Sequence, residues 1–204
     1  MQKSAPARIL RHLRDFGLRG IHLRFLAGFS IYREMPVYHL DFCSHPPQVL
    51  PSIPVEFSLL TEEDLDEYLT CAGDSPSDPH TVWGWGATCF LARYKGRIVA
   101  SIWVAERTFP LNYLYKELPL KHSEIYFVEA FTLPTFRGNR LLPALISHAC
   151  DHYRSLGRCH AYTIVFSYNS SSIRSFAHVG FKPHKILGFW QFGPWRKHFE
   201  SPAH

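Results

Sequence analysis

The chain has 204 residues, 46% hydrophobic and 15% aromatic, enough for a sizeable core in one domain and too apolar for a disordered, collagen-like or coiled-coil protein. Lys and Arg number 22 against 17 Asp and Glu, a formal +5, and all of the excess lies in residues 1–40, where seven bases face Asp15 and Glu34. The remaining body is neutral, which argues against a dedicated nucleic-acid binder with a basic stripe on its folded surface.

From Arg8 to Phe29, Arg residues interleave with Ile9, Leu10, Leu13, Phe16, Leu18, Ile21, Phe25 and Leu26 at roughly helical periodicity, interrupted by Gly17 and Gly20. Arg among apolar residues suits a peripheral contact with an anionic membrane or a partner protein; an Arg-rich helix packed on the domain fits the same pattern. Pro46, Pro47, Pro51 and Pro54 forbid regular structure and mark a linker. Residues 1–50 therefore read as a basic arm and linker, and 51–204 as the domain proper.

Val55–Leu60 reads as a strand, and Thr61 then caps a helix to about Cys71 with Asp64 as its capping partner. Gly73–Pro79 is a loop. Thr88–Tyr94 and Arg97–Ala105 are strands joined by a tight Lys95-Gly96 turn. Glu124–Leu133 is an apolar run long enough for a central strand, and Pro134–Asn139 is a turn. Arg140–Leu156 is the most regular helix, with Leu141, Leu142, Leu145, Ile146, Ala149, Tyr153 and Leu156 on one face and Gly157 at its end. Cys159–Tyr168 reads as a strand, Asn169–Gly180 as a helix and Phe181–Phe192 as a closing strand. The order β-α-β-β-β-α-β-α-β predicts a mixed α/β layer protein.

Cys43, Cys71, Cys89, Cys150 and Cys159 are odd in number, far apart and contain no CxxC, so a zinc ribbon or redox dithiol has no support. A reduced, cytoplasmic setting is the simpler expectation. No apolar stretch approaches a membrane span, and the first residues lack the pattern of a secretory signal. The GxxxxGK[ST], GxSxG and HExxH patterns are missing. His148 and His152 have metal-ligand spacing on one helix, but no Glu adjoins them and they sit at the edge of the apolar face. They read as boundary packing, and no metal is expected.

The chemistry concentrates in two segments. Phe131 to Pro143 carries a strand through the Arg137-Gly138 turn directly into a helix, whose first N–H groups and positive dipole end form an anion site. Asn169 to Phe181 is a punctuated helix with N-cap Asn169, a stripe of Ile173, Phe176 and Val179, and C-cap Gly180. Together they resemble the Gcn5-related N-acetyltransferase (GNAT) superfamily, whose acetyl-CoA loop after the fourth strand reads R/Q-x-x-G-x-G/A and whose next helix reads N-x-x-A-x-x-x-Y-x-x-x-G-F. Asn169, Ser172, Phe176, Gly180 and Phe181 fall on that helix pattern position for position.

The resemblance runs from Val55 onward and implies a mixed, mostly antiparallel central sheet with helices on both faces. It implies an acyl-CoA N-acyltransferase domain over residues 51–204, with acetyl-CoA or another acyl-CoA as co-substrate. The acceptor is expected to be a primary amine of a small molecule such as an amino sugar. It carries cofactor contacts onto Phe131, Leu133, Arg137, Gly138, Asn139, Arg140, Leu141, Leu142, Asn169 and Phe176. Two departures matter. Arg140 and Leu142 replace family glycines that let the backbone approach a pyrophosphate, and Phe176 replaces a tyrosine that in many members protonates the departing thiolate. These departures keep open a second reading, a non-catalytic CoA-binding or partner-binding regulatory member.

Alternation along Glu124–Leu133 places Ile125, Phe127, Glu129, Phe131 and Leu133 on one side. A carboxylate among apolar neighbours should have a raised pKa, as a general base near neutral pH needs, and many family members place a base in this strand. Glu129 is therefore the expected base, with Glu124 as second candidate and Tyr168 as proton donor. Trp83, Trp85, Tyr113, Tyr115, Trp190 and Trp195 lie in segments that flank the acceptor cleft in the family and suit a ring-bearing or apolar acceptor.

Overall fold

The computed structural model describes residues 32–73 and 77–203. In chain order the elements are β1 (Tyr32–Asp41), β2 (Glu56–Leu59), α1 (Leu65–Ala72), α2 (Pro79–Gly84), β3 (Ala87–Tyr94), β4 (Arg97–Ala105), β5 (Phe109–Leu111) and β6 (Lys116–Leu118). They continue as β7 (Glu124–Thr132), α3 (Leu141–Ser155), β8 (His160–Ile164), α4 (Ser170–Val179), β9 (Lys182–Phe192) and β10 (Trp195–Pro202). The readings for Arg8–Phe29 and for residues 74–76 of the 73–79 loop lie outside the described residues. Among the described residues two compact units emerge: a larger one of His39–Thr163 with Ser175–Phe181, and a smaller one of Tyr32–Tyr38 with Ile164–Arg174 and Lys182–Ala203.

In the larger unit, β2, β3, β4 and β7 pair antiparallel in that order, and β8 adds to β7 in parallel. This is the mixed, mostly antiparallel sheet that the family resemblance implies. The β3–β4 hairpin turns on Lys95 (φ 51) and Gly96 (φ +78), both left-handed, as a two-residue loop matched to strand twist requires. At the head of α1, the Asp64 carboxylate accepts from Thr61 N–H (3.2 Å) and Thr61 Oγ1 (3.1 Å), as its capping role predicts. One face of α3, with Leu141, Leu145, Ile146, Ala149 and Tyr153, is buried, whereas Leu142 is only half-buried and Leu156, just past the helix end, is exposed rather than on the buried face. Phe42, Phe90, Leu91, Ile102, Trp103 and Phe127 form the centre of the core.

One register irregularity re-aims the central strand. Ile102 pairs with Ala130 and Val104 with Phe127, so β7 spends three steps where β4 spends two. Strict alternation ends there, because a bulge inserts one residue into the period of two. Phe131, opposite Ser101, thus shares the face of Trp103 and Tyr126, while Phe127 points the other way. The ring contacts agree: Phe131 lies 5.7 Å from Tyr68 of α1, whereas Phe127 lies 6.2 Å from Phe176 and 6.0 Å from Phe181. The single-face reading of Ile125, Phe127, Glu129, Phe131 and Leu133 is corrected accordingly.

The proline-rich segment has no regular structure, yet it is held along α3. Ser147 Oγ donates to Pro47 O (2.6 Å) and accepts from Val49 N–H (3.2 Å), and Ser52 N–H donates to Asn139 O (3.0 Å). Just before it, Cys43 and Cys159 form a disulfide across 116 residues, leaving Cys71, Cys89 and Cys150 free among the described residues. The cysteine count and spacing carried no signal for this pairing. Both cysteines lie in the larger unit. In the smaller unit, the strands follow the order β10-β9-β1, and Val165 N–H donates to Pro36 O (3.2 Å).

His148 stacks on Phe57 (4.7 Å) and His152 lies edge-on to Phe90 (5.4 Å), a packing arrangement at the rim of the apolar face. Burial, followed by the neighbouring His152, holds the His148 pKa below its ordinary 6.5. A histidine with a lowered folded pKa stabilises fully above the unfolded value, and that contribution is lost as pH falls through 6.5 toward the folded value. The melting temperature should therefore drop on going from about pH 7.5 to about pH 5. His148→Gln should show a shallower drop across the same range, measured by differential scanning fluorimetry.

Candidate functional site

The site begins where two strands part. The β7–β8 ladder runs from Glu124↔His160 to Phe127↔Thr163 and stops, with Thr163 Oγ1 donating to Phe127 O (3.2 Å). β7 continues to Thr132 while still paired to β4, so its other edge beyond Phe127 has no β8 partner among the described residues. Such an edge offers backbone N–H and C=O groups to a ligand.

The strand then delivers the chain into a tightly held loop. Leu133 N–H donates to Val99 O (2.9 Å), and Pro134–Phe136 forms a 3₁₀ turn. Asn139 Nδ2 caps back onto Phe136 O (3.0 Å), and Arg137 Nε reaches Thr132 O (3.4 Å). Gly138 (φ +85) and Arg140 (φ 55) are both left-handed. The first bond into α3 runs from Ala144 N–H to Arg140 O (3.0 Å). The N–H groups of Leu141 and Leu142 therefore precede the helical ladder, and Pro143 brings none. Arg137, Gly138 and Arg140 are exposed beside this helix start. Two guanidinium groups, a left-handed loop and the positive end of a 15-residue helix fit an anion such as a pyrophosphate.

Arg140 holds a conformation that glycine adopts freely and other L-residues adopt at a cost of about 1 kcal/mol. Its Nε donates to Ser52 Oγ (3.1 Å). Arg140→Gly should thus be more stable than Arg140→Ala by about 1 kcal/mol in urea unfolding, since both lose the guanidinium and differ only in backbone freedom.

Glu129 lies just past the bulge, and its Oε1 accepts from Ser77 Oγ (2.6 Å) of the loop before α2. Tyr68 and Tyr126 both feel its charge. Burial pushes the Tyr68 phenol up to about 12, with further contributions that include Glu129. Burial likewise raises Tyr126, with Tyr113 and Glu129 adding to it. Both phenols hold their protons at neutral pH, and Tyr68 Oη accepts from Trp103 Nε1 (2.8 Å). Ser77, Tyr68 and Tyr126 went unnoticed in the sequence. Nothing local marks them, because Ser77 and Tyr68 come from the loop before α2 and from α1, and the facing of Tyr126 depends on the bulge in β7.

The other predicted residues divide between the units. Phe131, Leu133, Arg137–Leu142, Glu129 and Phe176 belong to the larger unit, and Tyr168 and Asn169 to the smaller. Phe176 is buried against Phe127 and Phe181 (5.1 Å), so its ring is a core element. Asn169 caps α4, its Oδ1 accepting from Ser172 N–H (3.2 Å). Tyr168 stacks on Phe166 (5.0 Å). Glu124 closes the turn before β7, accepting from Lys121 N–H (2.9 Å). Trp83 packs on Trp103 (6.0 Å) and Trp85 on Phe109 (5.2 Å), while Tyr113 and Tyr115 remain exposed.

The sequence model of the acetyltransferase (GNAT) family matches residues 57–181. Among solved structures, a GNAT-family protein from Novosphingobium aromaticivorans is similar at 16% identity and TM-score 0.52, over 84% of this chain and 66% of that one. A GCN5-related N-acetyltransferase from Kribbella flavida is similar at 15% identity and TM-score 0.51, over 89% of this chain and 64% of that one. The aminoglycoside N-acetyltransferase AAC(6')-Iy in complex with CoA is similar at 16% identity and TM-score 0.50, over 62% of this chain and 91% of that one. This chain spans just under two thirds of the first two proteins, and at these identities the likeness is one of fold. No curated protein matches the chain by sequence.

Proposed function

The chain belongs to the GNAT acetyltransferase family, and on that premise we propose that it transfers an acetyl or other acyl group from acyl-CoA to a primary amine of a small molecule such as an amino sugar. The observation that carries this reading is the loop between β7 and α3, where Arg137, Arg140 and the N–H groups of Gly138–Leu142 converge at a helix start. Those residues would hold the pyrophosphate. Phe131 on the last part of β7 and Leu133 just beyond it, both half-buried, would border the acyl-bearing arm along the open strand edge. Bound there, acyl-CoA supplies an activated acyl carbon. Tyr168 and Asn169 keep their proposed roles on the sequence pattern alone.

Glu129 is proposed to take the proton that the amine loses as its nitrogen bonds to carbon, with Ser77 fixing the carboxylate through Oε1. Backbone N–H groups on the edge of β7 past Phe127 would polarise the acyl oxygen. Phe176 cannot return a proton to the departing sulfur, and Tyr168 is the donor proposed in its place. Holding amine and acyl carbon together supplies roughly 7–11 kcal/mol of the barrier, so the missing tyrosine is the smaller loss. Ring faces at Trp83 and Trp85 support an acceptor with an apolar or cyclic face.

Titration calorimetry with acetyl-CoA tests the reading. Arg137→Glu should weaken binding by about ten- to a hundredfold, the worth of a charge-assisted bond lost, while Arg174→Glu on α4 should change it less than about threefold. No heat at millimolar ligand would overturn it. Binding without thiol release across a panel of primary amines would instead select the regulatory reading, which the buried, hydroxyl-free Phe176 favours.

A further inference from the structure

The β9–β10 hairpin ends in three aromatic side chains that the described residues leave exposed: Trp195 is 80% exposed, Phe192 65% and Trp190 45%. The register pairs Trp195 with Phe192, Lys197 with Trp190 and Phe199 with Gly188 across the two strands. Alternation with period two places all six positions on one face. The inner end of that face is filled. Gly188 leaves the space that Phe199 occupies, and Tyr32 lies 4.2 Å from Trp190 and 5.9 Å from Phe199. The outer end, past Trp190, is bare: Trp190 and Phe192 stack at 6.4 Å, and Trp195 follows the Gly193-Pro194 turn with nothing above it among the described residues.

Burying such rings would gain free energy, so their exposure asks for a partner, and the charge around them indicates which. The segment from Phe189 to Lys197 contains Arg196 and Lys197 and no acid. Among the described residues, the smaller unit carries six Lys and Arg against two acids, whereas the larger carries ten against thirteen. The chain's six Lys and Arg before Tyr32, set against Asp15 alone, are joined to the residue whose ring backs Trp190. Trp and Phe beside Lys and Arg suit the boundary where apolar chains meet negatively charged headgroups. A strand-turn end with its rings clustered enters a soft surface; it does not offer the spaced stacking platforms along a groove that single-stranded nucleic acid uses.

We propose that the aromatic end of the β9–β10 hairpin docks this protein on an anionic lipid bilayer. The test uses the full chain with phosphatidylcholine vesicles and with mixed phosphatidylcholine–phosphatidylglycerol vesicles, read by co-sedimentation and tryptophan emission. The expected result is co-sedimentation with the mixed vesicles only, a blue-shifted emission, and weakening as salt rises. Removing two interfacial rings in Phe192→Ala/Trp195→Ala should lower the partition coefficient by about a hundredfold, and Lys197→Glu by several-fold, with melting temperatures unchanged. Absence of co-sedimentation overturns the proposal. So does undiminished binding by the double variant, which would assign the contact to charge elsewhere in the chain. Ring-dependent self-association without lipid binding, or capture of single-stranded oligonucleotide that vesicles do not displace, overturns it as well.

Discussion

Glu129→Gln is expected to lower turnover by about 10²–10⁴-fold near neutral pH and to leave acetyl-CoA affinity within about twofold. The amide keeps the shape of the carboxylate and can still accept from Ser77 Oγ, now 2.6 Å from Oε1, so the loop before α2 stays anchored. What it loses is the capacity to take a proton. The proposed pyrophosphate cradle at Arg137–Leu142 lies beyond the bulge and the 3₁₀ turn, and its side chains bond to Thr132, Phe136 and Ser52. A split between kcat and the KM for acetyl-CoA is therefore the signature. Ser77→Ala should follow the same direction with a loss of roughly tenfold, since it frees the carboxylate without removing it. Equal loss of CoA affinity and turnover in Glu129→Gln would show instead that this carboxylate organises the strand, and the base would have to be sought at Glu124.

The two carboxylates illustrate what a sequence can and cannot disclose. β7 was legible as a strand because its apolar run is long and uninterrupted, and α3 because Leu141, Leu145, Ile146, Ala149 and Tyr153 repeat at the helical spacing that burial enforces. The direction of Glu129 was not, because a single inserted residue between Phe127 and Ala130 breaks the period of two without any glycine or proline to announce it. β1 was hidden by Pro36, which argues against a strand interior, yet Pro36 contributes only its carbonyl, to Val165 N–H. The short α2 has a legible start, Asp78 accepting from Thr81 N–H (2.9 Å) ahead of Pro79 at its first turn, but six residues give too little periodicity to read. β10 is largely charged and polar, and its strand character comes from its antiparallel partner β9. At the loop between β7 and α3, Arg140 stands where the family pattern has a glycine, and the backbone there takes the left-handed form with arginine in place.

Reducing the disulfide between Cys43 and Cys159, or replacing both residues by Ser, is expected to destabilise the larger unit by about 2–5 kcal/mol, a fall of roughly 5–15 °C in melting temperature. The bond spans 116 residues of chain, and a cross-link over so long a loop removes much of the freedom of the unfolded state. It also sits on a prepared joint. Phe42 N–H donates to Cys159 O (2.9 Å), and the Asp41 carboxylate accepts from Cys43 N–H (3.1 Å), Ser44 N–H (3.0 Å) and Ser44 Oγ (2.8 Å). Those bonds hold Asp41 below the usual carboxylate range. On the other side, Arg158 pairs with Glu106 (3.0 Å) and donates to Glu124 O (3.3 Å), anchoring the entry to β8 at the start of β7. Removing the cross-link leaves this joint to hold β8 against β7, the pair of strands whose parting creates the site. Cys71→Ser, at a free thiol, should shift the midpoint by less than about 1 kcal/mol. A chain beginning at Leu50 should fare worse than the double Ser variant, because it also discards β1, the fully buried Phe42 and the contacts of Pro47 and Val49 with Ser147. Thiol titration of the unfolded, unreduced protein should count three thiols, those of Cys71, Cys89 and Cys150. Five thiols, with a melting temperature indifferent to reductant, would show that the joint holds by hydrogen bonds alone.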